Sequence, residues 1–297
     1  MKSFLFLSLN LVSLVSFASG VGYNPAQAAK FEQTNECINC DLTGYKTESN
    51  PEHFHAVLTG SDLSQAYIGH DKENWHVSEF TGAIITNGAI LGGADYSISN
   101  FSRVTVSKST FLGRYAHANF EGAVIRDSSF SGDFRFTDFS HSIIINLSFP
   151  HLTYYGAQEM NFSNSYIDNL TITNVKTLVN ADFSNSKVIN SNFSKSSPDF
   201  SKFVNAKLNN VKFVGSSISG SDFTGADLTG SDFTDAFLGS SNFTNANFTN
   251  TNLTNVNFCS ATVTLEQLAK AKTVSCALQP DCKTRYPKDG GGSCLNL

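Results

Sequence analysis

The sequence predicts an all-β solenoid, a narrow right-handed coil stacked on a five-residue period and closed by a short C-terminal helix. Three observations predict it. A bulky residue returns every five positions from Phe183 to Val263, and 16 of these 17 positions are Phe, Leu, Ile or Val, with Pro198 the exception. Two places before each stands Ala, Ser, Thr or Val, without exception. Charged residues make up only 15% of the chain, while Phe numbers 26 against two Met and one Trp. An average domain carries roughly 25% charge. A period of five suits neither an amphipathic helix nor a flat strand.

The first element is an export signal. Lys2 gives a small positive n-region, and Phe4 to Val15 is apolar except for Ser8, Asn10 and Ser13. That run is short for a membrane anchor. Ala18 and Gly20 follow, and Ala26-Gln27-Ala28 offers a second site of the A-x-A kind. Residues 1–28 are read as a signal peptide, with cleavage between 18 and 29. No second apolar run of membrane length follows, so the expected product is soluble and has no membrane span.

The repeat itself occupies 37–263, interrupted to about 180 and regular from 181. Its units read ADFSN, SKVIN and SNFSK, and later SDFTG, ADLTG and SNFTN. These resemble the pentapeptide-repeat family, whose consensus is a small residue, Asp or Asn, Leu or Phe, a small polar residue and a variable one. The resemblance implies a right-handed quadrilateral β-helix, with four pentapeptides to a turn. Core and small residues then point inward, and stacking buries one continuous column. Phe183, Phe203, Phe223, Phe243 and Val263 should form one core column, with rungs about 4.8 Å apart. The residue before each core position should place Lys202, Lys207 and Lys212 beside Asp222, Asp227 and Asp232 as exposed pairs. Asn242, Asn247 and Asn252 should form amide ladders.

Upstream, the phase persists in blocks: Leu58, Leu63 and Ile68; Phe80, Ile85 and Ile90; Tyr96, Phe101, Val106 and Phe111; Phe120, Ile125 and Phe130; Phe139, Ile144, Phe149 and Tyr154; Phe162, Ile167 and Ile172. Each break needs a bulge or a short loop, with loops near His70–Val77, Arg114–Ala118, Phe134–Thr137, Gly156–Glu159 and Thr173–Asn180, where function would concentrate.

The open ends of such a column need caps. Thr264-Leu265-Glu266-Gln267 has the form of a capping box, so 264–297 is read as a capping helix running to about Lys272 and a Cys-containing tail. At the other end Cys40 takes a small-residue place and Leu42 a core place. Six cysteines (Cys37, Cys40, Cys259, Cys276, Cys282 and Cys294) are an even number in an exported chain and read as structural disulfides. In a column of this kind Cys37 and Cys40 can pair only with each other, and the other four have three connectivities open.

Function is read chiefly by exclusion. A net charge of −5 lacks the basic face of a nucleic-acid binder. No triad, phosphate loop or HExxH motif appears. The seven histidines are His53, His55, His70, His76, His117, His141 and His151. They read as solvated loop and surface residues, with no catalytic, cofactor or metal site. The expectation is a non-enzymatic, exported structural or protein-interaction solenoid facing a protein or surface partner. It would reside in a bacterial periplasm, outside the cell, or in a thylakoid lumen if the source is photosynthetic. The alternative comes from the resemblance, since some members mimic duplex DNA and bind DNA gyrase.

Overall fold

The architecture follows from one local rule, repeated. In the computed structural model, residues 22–47, 53–69, 74–153, 155–291 and 294 are described. The part of the expected signal peptide before Gly22, together with His70, Tyr154 and Gly292, lies outside the described residues. Within a unit, the Asp or Asn before the core residue turns its side chain back onto the N–H two places on. Asp182, Asn192, Asp222, Asp232, Asn242 and Asn252 all do this, at 2.8–3.1 Å. The residue two places after the core residue then adopts a left-handed φ, as at Asn185 (58°), Asn205 (55°) and Asn245 (60°). Asn tolerates that conformation better than other side chains do. Together the two features turn the chain at each corner.

Parallel ladders join successive coils on every face. Face one runs through Glu36, Val57, Glu79, Asn100, Asn119, Asp138, Asn161, Asp182, Lys202, Asp222, Asn242 and Thr262. The same numbers give the coil lengths. From Asp182 to Thr262 each coil takes 20 residues, whereas Asn100 to Asn119 and Asn119 to Asp138 take 19, and Asp138 to Asn161 takes 23. Where the ladder lengthens into strands these are β1 (Tyr67–Ile68), β2 (Ile84–Thr86), β3 (Ile90–Asp95), β4 (Thr105–Ser107), β5 (Thr110–Arg114), β6 (Val124–Asp133), β7 (Ile143–Ser148), β8 (Tyr166–Asp168), β9 (Lys187–Ile189) and β10 (Lys207–Asn209). The main path runs β1-β3-β5-β6-β7-β8-β9-β10, and β4 bridges β2 to β6. Strand character is strongest around face two, where Ile84, Thr105, Val124 and Ile143 pair in sequence. Their β-branched side chains favour extended backbone.

The column is filled by rings. On face one, Phe80, Phe101, Phe120, Phe139, Phe162, Phe183, Phe203, Phe223 and Phe243 stack in succession at 4.5–5.2 Å. Val263 ends that face, half-buried. Offset stacks at this distance add to the area each ring removes from water. The small position is often Ser for a stated reason. Ser201 and Ser221 hydroxyls accept the N–H of the small residue one coil back at 3.0 Å. Ser221 also donates to the Pro198 carbonyl at 3.0 Å. Buried hydroxyls thereby remain paired.

The first half departs from the sequence expectations in part: core residues sit inside the expected loops. Trp75, Tyr115, Phe134, Ala157 and Leu178 fall within the expected loops, yet all are fully buried. Tyr115 and Phe134 belong to a fourth-face stack in which Tyr96–Tyr115 and Tyr115–Phe134 lie 4.8 and 4.9 Å apart. The four-residue step from Phe111 to Tyr115 is no loop, because β5 runs straight through that corner. Glycine permits it. Gly113 and Gly132 adopt φ of 127° and 123°, and a Cβ at Gly132 would collide with the Gly113 carbonyl oxygen. Ile90 is a second correction: Leu91 is the core residue and pairs with Ile68. Asn87 and Gly88 both turn left-handed there, adding one residue to the corner and shifting the phase.

Both ends are capped. Helix α1 (Pro25–Thr34) starts at Asn24, whose Oδ1 accepts from Ala26 and Gln27, and it buries Ala28 and Phe31 on the first coil. At the other end α2 (Leu265–Leu268) has the full Thr264/Gln267 capping box. The helix is shorter than the sequence suggested. Lys272 already donates to Thr251 and Thr273 to Asn252 pairs as a bridge, so the tail returns to the column for a further part-coil reaching Leu278. Disulfides Cys259–Cys282 and Cys276–Cys294 hold this end, and Cys37–Cys40 lies beneath α1.

A candidate interaction ridge on the fourth corner

Left-handed corner residues distinguish the four corners. The other three are turned largely by Gly and Asn, with Gln65, Arg103, Lys108, Asp127, His141, Lys195, Asp235 and Cys276 as the departures. The corner after face four runs His55, Val77, Ile98, His117, Phe136, Glu159, Asn180, Phe200, Gly220, Ser240 and Ser260. Backbone bonds such as Val77 N–H to Ser97 O (3.0 Å) and Ile98 N–H to Ala116 O (2.9 Å) stack these corners rung on rung. Val77, Ile98, Phe136 and Phe200, with φ of 56–60°, all lie on this corner. Val, Ile and Phe are costly there, by roughly 1–2 kcal/mol per residue against Asn or Gly.

These costly side chains are also exposed. Ile98 is 53% accessible, Val77 and Phe136 each 37%, and the adjoining Phe54 45%. The His117 ring stacks on Phe136 at 4.6 Å, and Phe54 sits edge-on to His55 at 4.1 Å. From His55 to Phe136 the corner is thus an apolar and aromatic ridge spanning five coils, about 19 Å long at strand spacing. A second apolar stripe, Ile84 and Ile143 on face two, is explained by strand propensity alone. The ridge has no such explanation, and strain at exposed side chains points to use.

Its flanks differ in charge. On the face-four side, Arg114 pairs with Asp95 at 3.3 Å and Arg135 holds Asp133 at 2.8 Å. The Asp133 pairing also raises the Arg135 pKa, through the hydrogen bond first and the charge second. On the face-one side, Glu79, Glu121 and Asp138 have no ion-pair partner among the described residues. Glu79 accepts instead from Thr81 and Asn100, and Asp138 from Ser140 and Asn161.

One stretch decides the family. Residues 201–239 and 221–259 match the pentapeptide-repeats family model, in eight copies, and the coils they form are the square, five-residue-sided turns described above. This stretch is built of pentapeptide repeats. No curated protein matches it. Among solved structures it is similar to HetL, a pentapeptide repeat protein involved in heterocyst differentiation regulation from the cyanobacterium Nostoc sp. strain PCC 7120, with 17% identity over 88% of this chain and 97% of that one and a TM-score of 0.32. It is also similar to a pentapeptide repeat protein of the Arabidopsis thaliana thylakoid lumen (20% identity, 35% of this chain, 67% of that one, TM-score 0.22). QnrB1, a plasmid-mediated fluoroquinolone resistance protein, matches at 17% identity over 71% and 91% with a TM-score of 0.29.

The remaining sequence-predicted residues of this pentapeptide-repeat column fall as follows. His53 is no solvated loop residue. It is buried at 2% exposure, Nδ1 lies 2.7 Å from Asn35 Oδ1, and its ring lies between Phe31 (5.1 Å) and Trp75 (4.5 Å). Burial lowers its pKa below the ordinary value. Lys202 reaches Asp182 on the preceding coil at 3.8 Å, but Lys207 and Lys212 make no such pair with Asp227 and Asp232. Burial pushes the Asp227 carboxyl up, and hydrogen bonds from Thr229, Asn209 and Asn247 outweigh it, leaving the pKa lowered. Of the expected Asn stacks, Asn247 reaches Asp227 at 3.0 Å, while Asn242 and Asn252 bond Thr224 and Thr234. No group of three metal-ligating side chains occurs among the described residues. An open cleft of about 590 Å³ beside α2 is lined by Thr244, Thr262 and Gln267 among others. Gln267 spans its wall, donating to the carbonyls of Phe243 and Ala246.

Proposed function

We propose that this protein is an exported, non-enzymatic interaction solenoid that binds a protein partner along its fourth corner. The observation that carries the reading is the ridge: costly left-handed Val, Ile and Phe held in solvent over successive coils. A filled column supports the non-enzymatic part, because the interior is occupied by stacked rings. Three disulfides suit an oxidising compartment, and no described helix is long and apolar enough to cross a membrane.

Within the export reading, the cap refines where cleavage belongs. Asn24 caps α1, and its N–H donates to Asp41 O at 3.0 Å; Gln27 Oε1 accepts from Asp41 N–H at 2.7 Å. Cleavage after Ala28 would remove the first turn of that cap. A mature chain starting between Ser19 and Tyr23 keeps it.

The DNA-mimic alternative has little support in the charge pattern. Face one breaks its acids with Asn100, Asn119, Asn161 and Lys202, and face two with Ile84 through Lys207. Neither makes a continuous acidic stripe.

The test is N-terminal sequencing and thiol labelling of the protein from its own cells. The reading expects a start before Asn24, an exported fraction and six unreactive cysteines. A cytosolic product retaining Lys2 with free thiols contradicts export.

A further inference from the structure

Resting on that interaction reading, we infer that the ridge seats in an apolar groove of a protein partner whose lip over face one is lined with lysine or arginine. Shape gives the groove. Val77, Ile98 and Phe136 stand at a corner, the most convex line of a square column, so a complementary surface is concave. Charge gives the lip. Face four is neutralised within the chain by Arg114–Asp95 and Arg135–Asp133. Face one offers Glu79 and Asp138 without an ion-pair partner, while Glu121 stands beside the one cation, Arg103, at its far corner. A stable interface buries roughly 800 Å² per partner, more than a ridge about 19 Å long can supply. The flanks must therefore join the interface, and the acidic one selects its opposite.

Other occupants fit less well. Anionic lipid or nucleic acid would meet the carboxylates of face one. A second copy brings no cation to them, since a two-fold arrangement sets face one against face one or against the ion-paired face four.

Photocrosslinking in the producing cells tests the inference on the full chain. Ile98→p-benzoyl-phenylalanine reports the ridge, and the same replacement at Lys207 or Lys212 reports distant exposed faces. The expected result is a protein adduct from position 98. Binding of that partner, purified, should weaken at least about tenfold with V77N/I98N/F136N. It should weaken about threefold with E79Q/E121Q/D138N, which should also flatten its salt dependence. Asn suits a left-handed corner, so the ridge variant remains folded, and an unshifted or raised Tm checks this. An adduct only with a second copy, only with lipid, or none from position 98 overturns the inference. So does a partner indifferent to the carboxylate changes. Capture from position 207 or 212 but not 98 leaves the interaction reading standing, and capture from none removes both.

Discussion

His117 and Phe136 stack their rings at 4.6 Å and an interplanar angle of 11°, although both residues hold left-handed backbone with φ of 60° and 57°. They sit on successive coils of one corner. The sequence spends its least favourable corner residues where their side chains meet solvent.

The buried imidazole makes the N-terminal cap sensitive to acid. His53 has a folded-state pKa below its unfolded value of about 6.5. Above that value both states are neutral and pH has no effect through this group. Below it the unfolded chain takes up the proton first, so stability falls as pH drops toward the folded pKa. Trp75, the one Trp of the sequence, lies 4.5 Å from the imidazole. Its emission should change with a midpoint below pH 6.5, and H53F should remove the transition. A midpoint at or above 6.5 contradicts a buried neutral His53.

Tyr115 and Phe134 tie the first half into one core. Phe134→Ala should lower stability by about 3–5 kcal/mol, as for a large ring removed from a packed interior. Calorimetry of the variant checks it, and a loss under about 1 kcal/mol would return Phe134 to a surface loop. Burial also pushes the Tyr115 phenol well up, with Tyr96 adding to it. That phenol donates to the Leu91 carbonyl at 3.0 Å, and Tyr115→Phe should cost about 1–3 kcal/mol through the unpaired acceptor.

Gly132 closes the 19-residue coil. Gly132→Ala forces a methyl against the Gly113 carbonyl at a positive φ, and should destabilise by more than about 1 kcal/mol. Gly82, with open space around its corner, should accept Asn with little change. Equal effects at the two sites would show that backbone approach is not the cause.

The Cys259–Cys282 bond closes a separation of 23 residues over the C-terminal cap. C259S/C282S should cost about 2–4 kcal/mol, read by urea unfolding. An unchanged midpoint would mean that the tail's bridges at Thr273 and Leu278 hold it alone.

Legibility followed regularity. From Phe183 to Val263 the column could be read residue by residue, because each coil there is 20 long and the core position recurs every five residues. Upstream, departures from five read as loops. Phe111 to Tyr115 shows why: a glycine corner shortens a face by one residue without leaving the column, and spacing alone cannot separate this from an excursion. Leu91 in place of Ile90 arises from the extra left-handed residue at Gly88. His53 reads as solvated because imidazole is usually exposed. The rings below and above it come from Trp75 and from α1, an element that the expected signal peptide, 1–28, partly overlaps. The ridge carries a signal that spacing does not reveal. The fifth position looks variable, whereas Asn and Gly dominate it for φ, and Val77, Ile98 and Phe136 break that rule on one corner.

Ile98→Asn tests the central claim most directly, by equilibrium unfolding of the otherwise unchanged chain. Relief of the left-handed strain, less the apolar burial that a half-exposed side chain gives up, predicts a gain of about 0.5–1 kcal/mol. A loss of about 2 kcal/mol or more, the cost of a core deletion, would show that Ile98 is there to hold the fold and not to meet a partner.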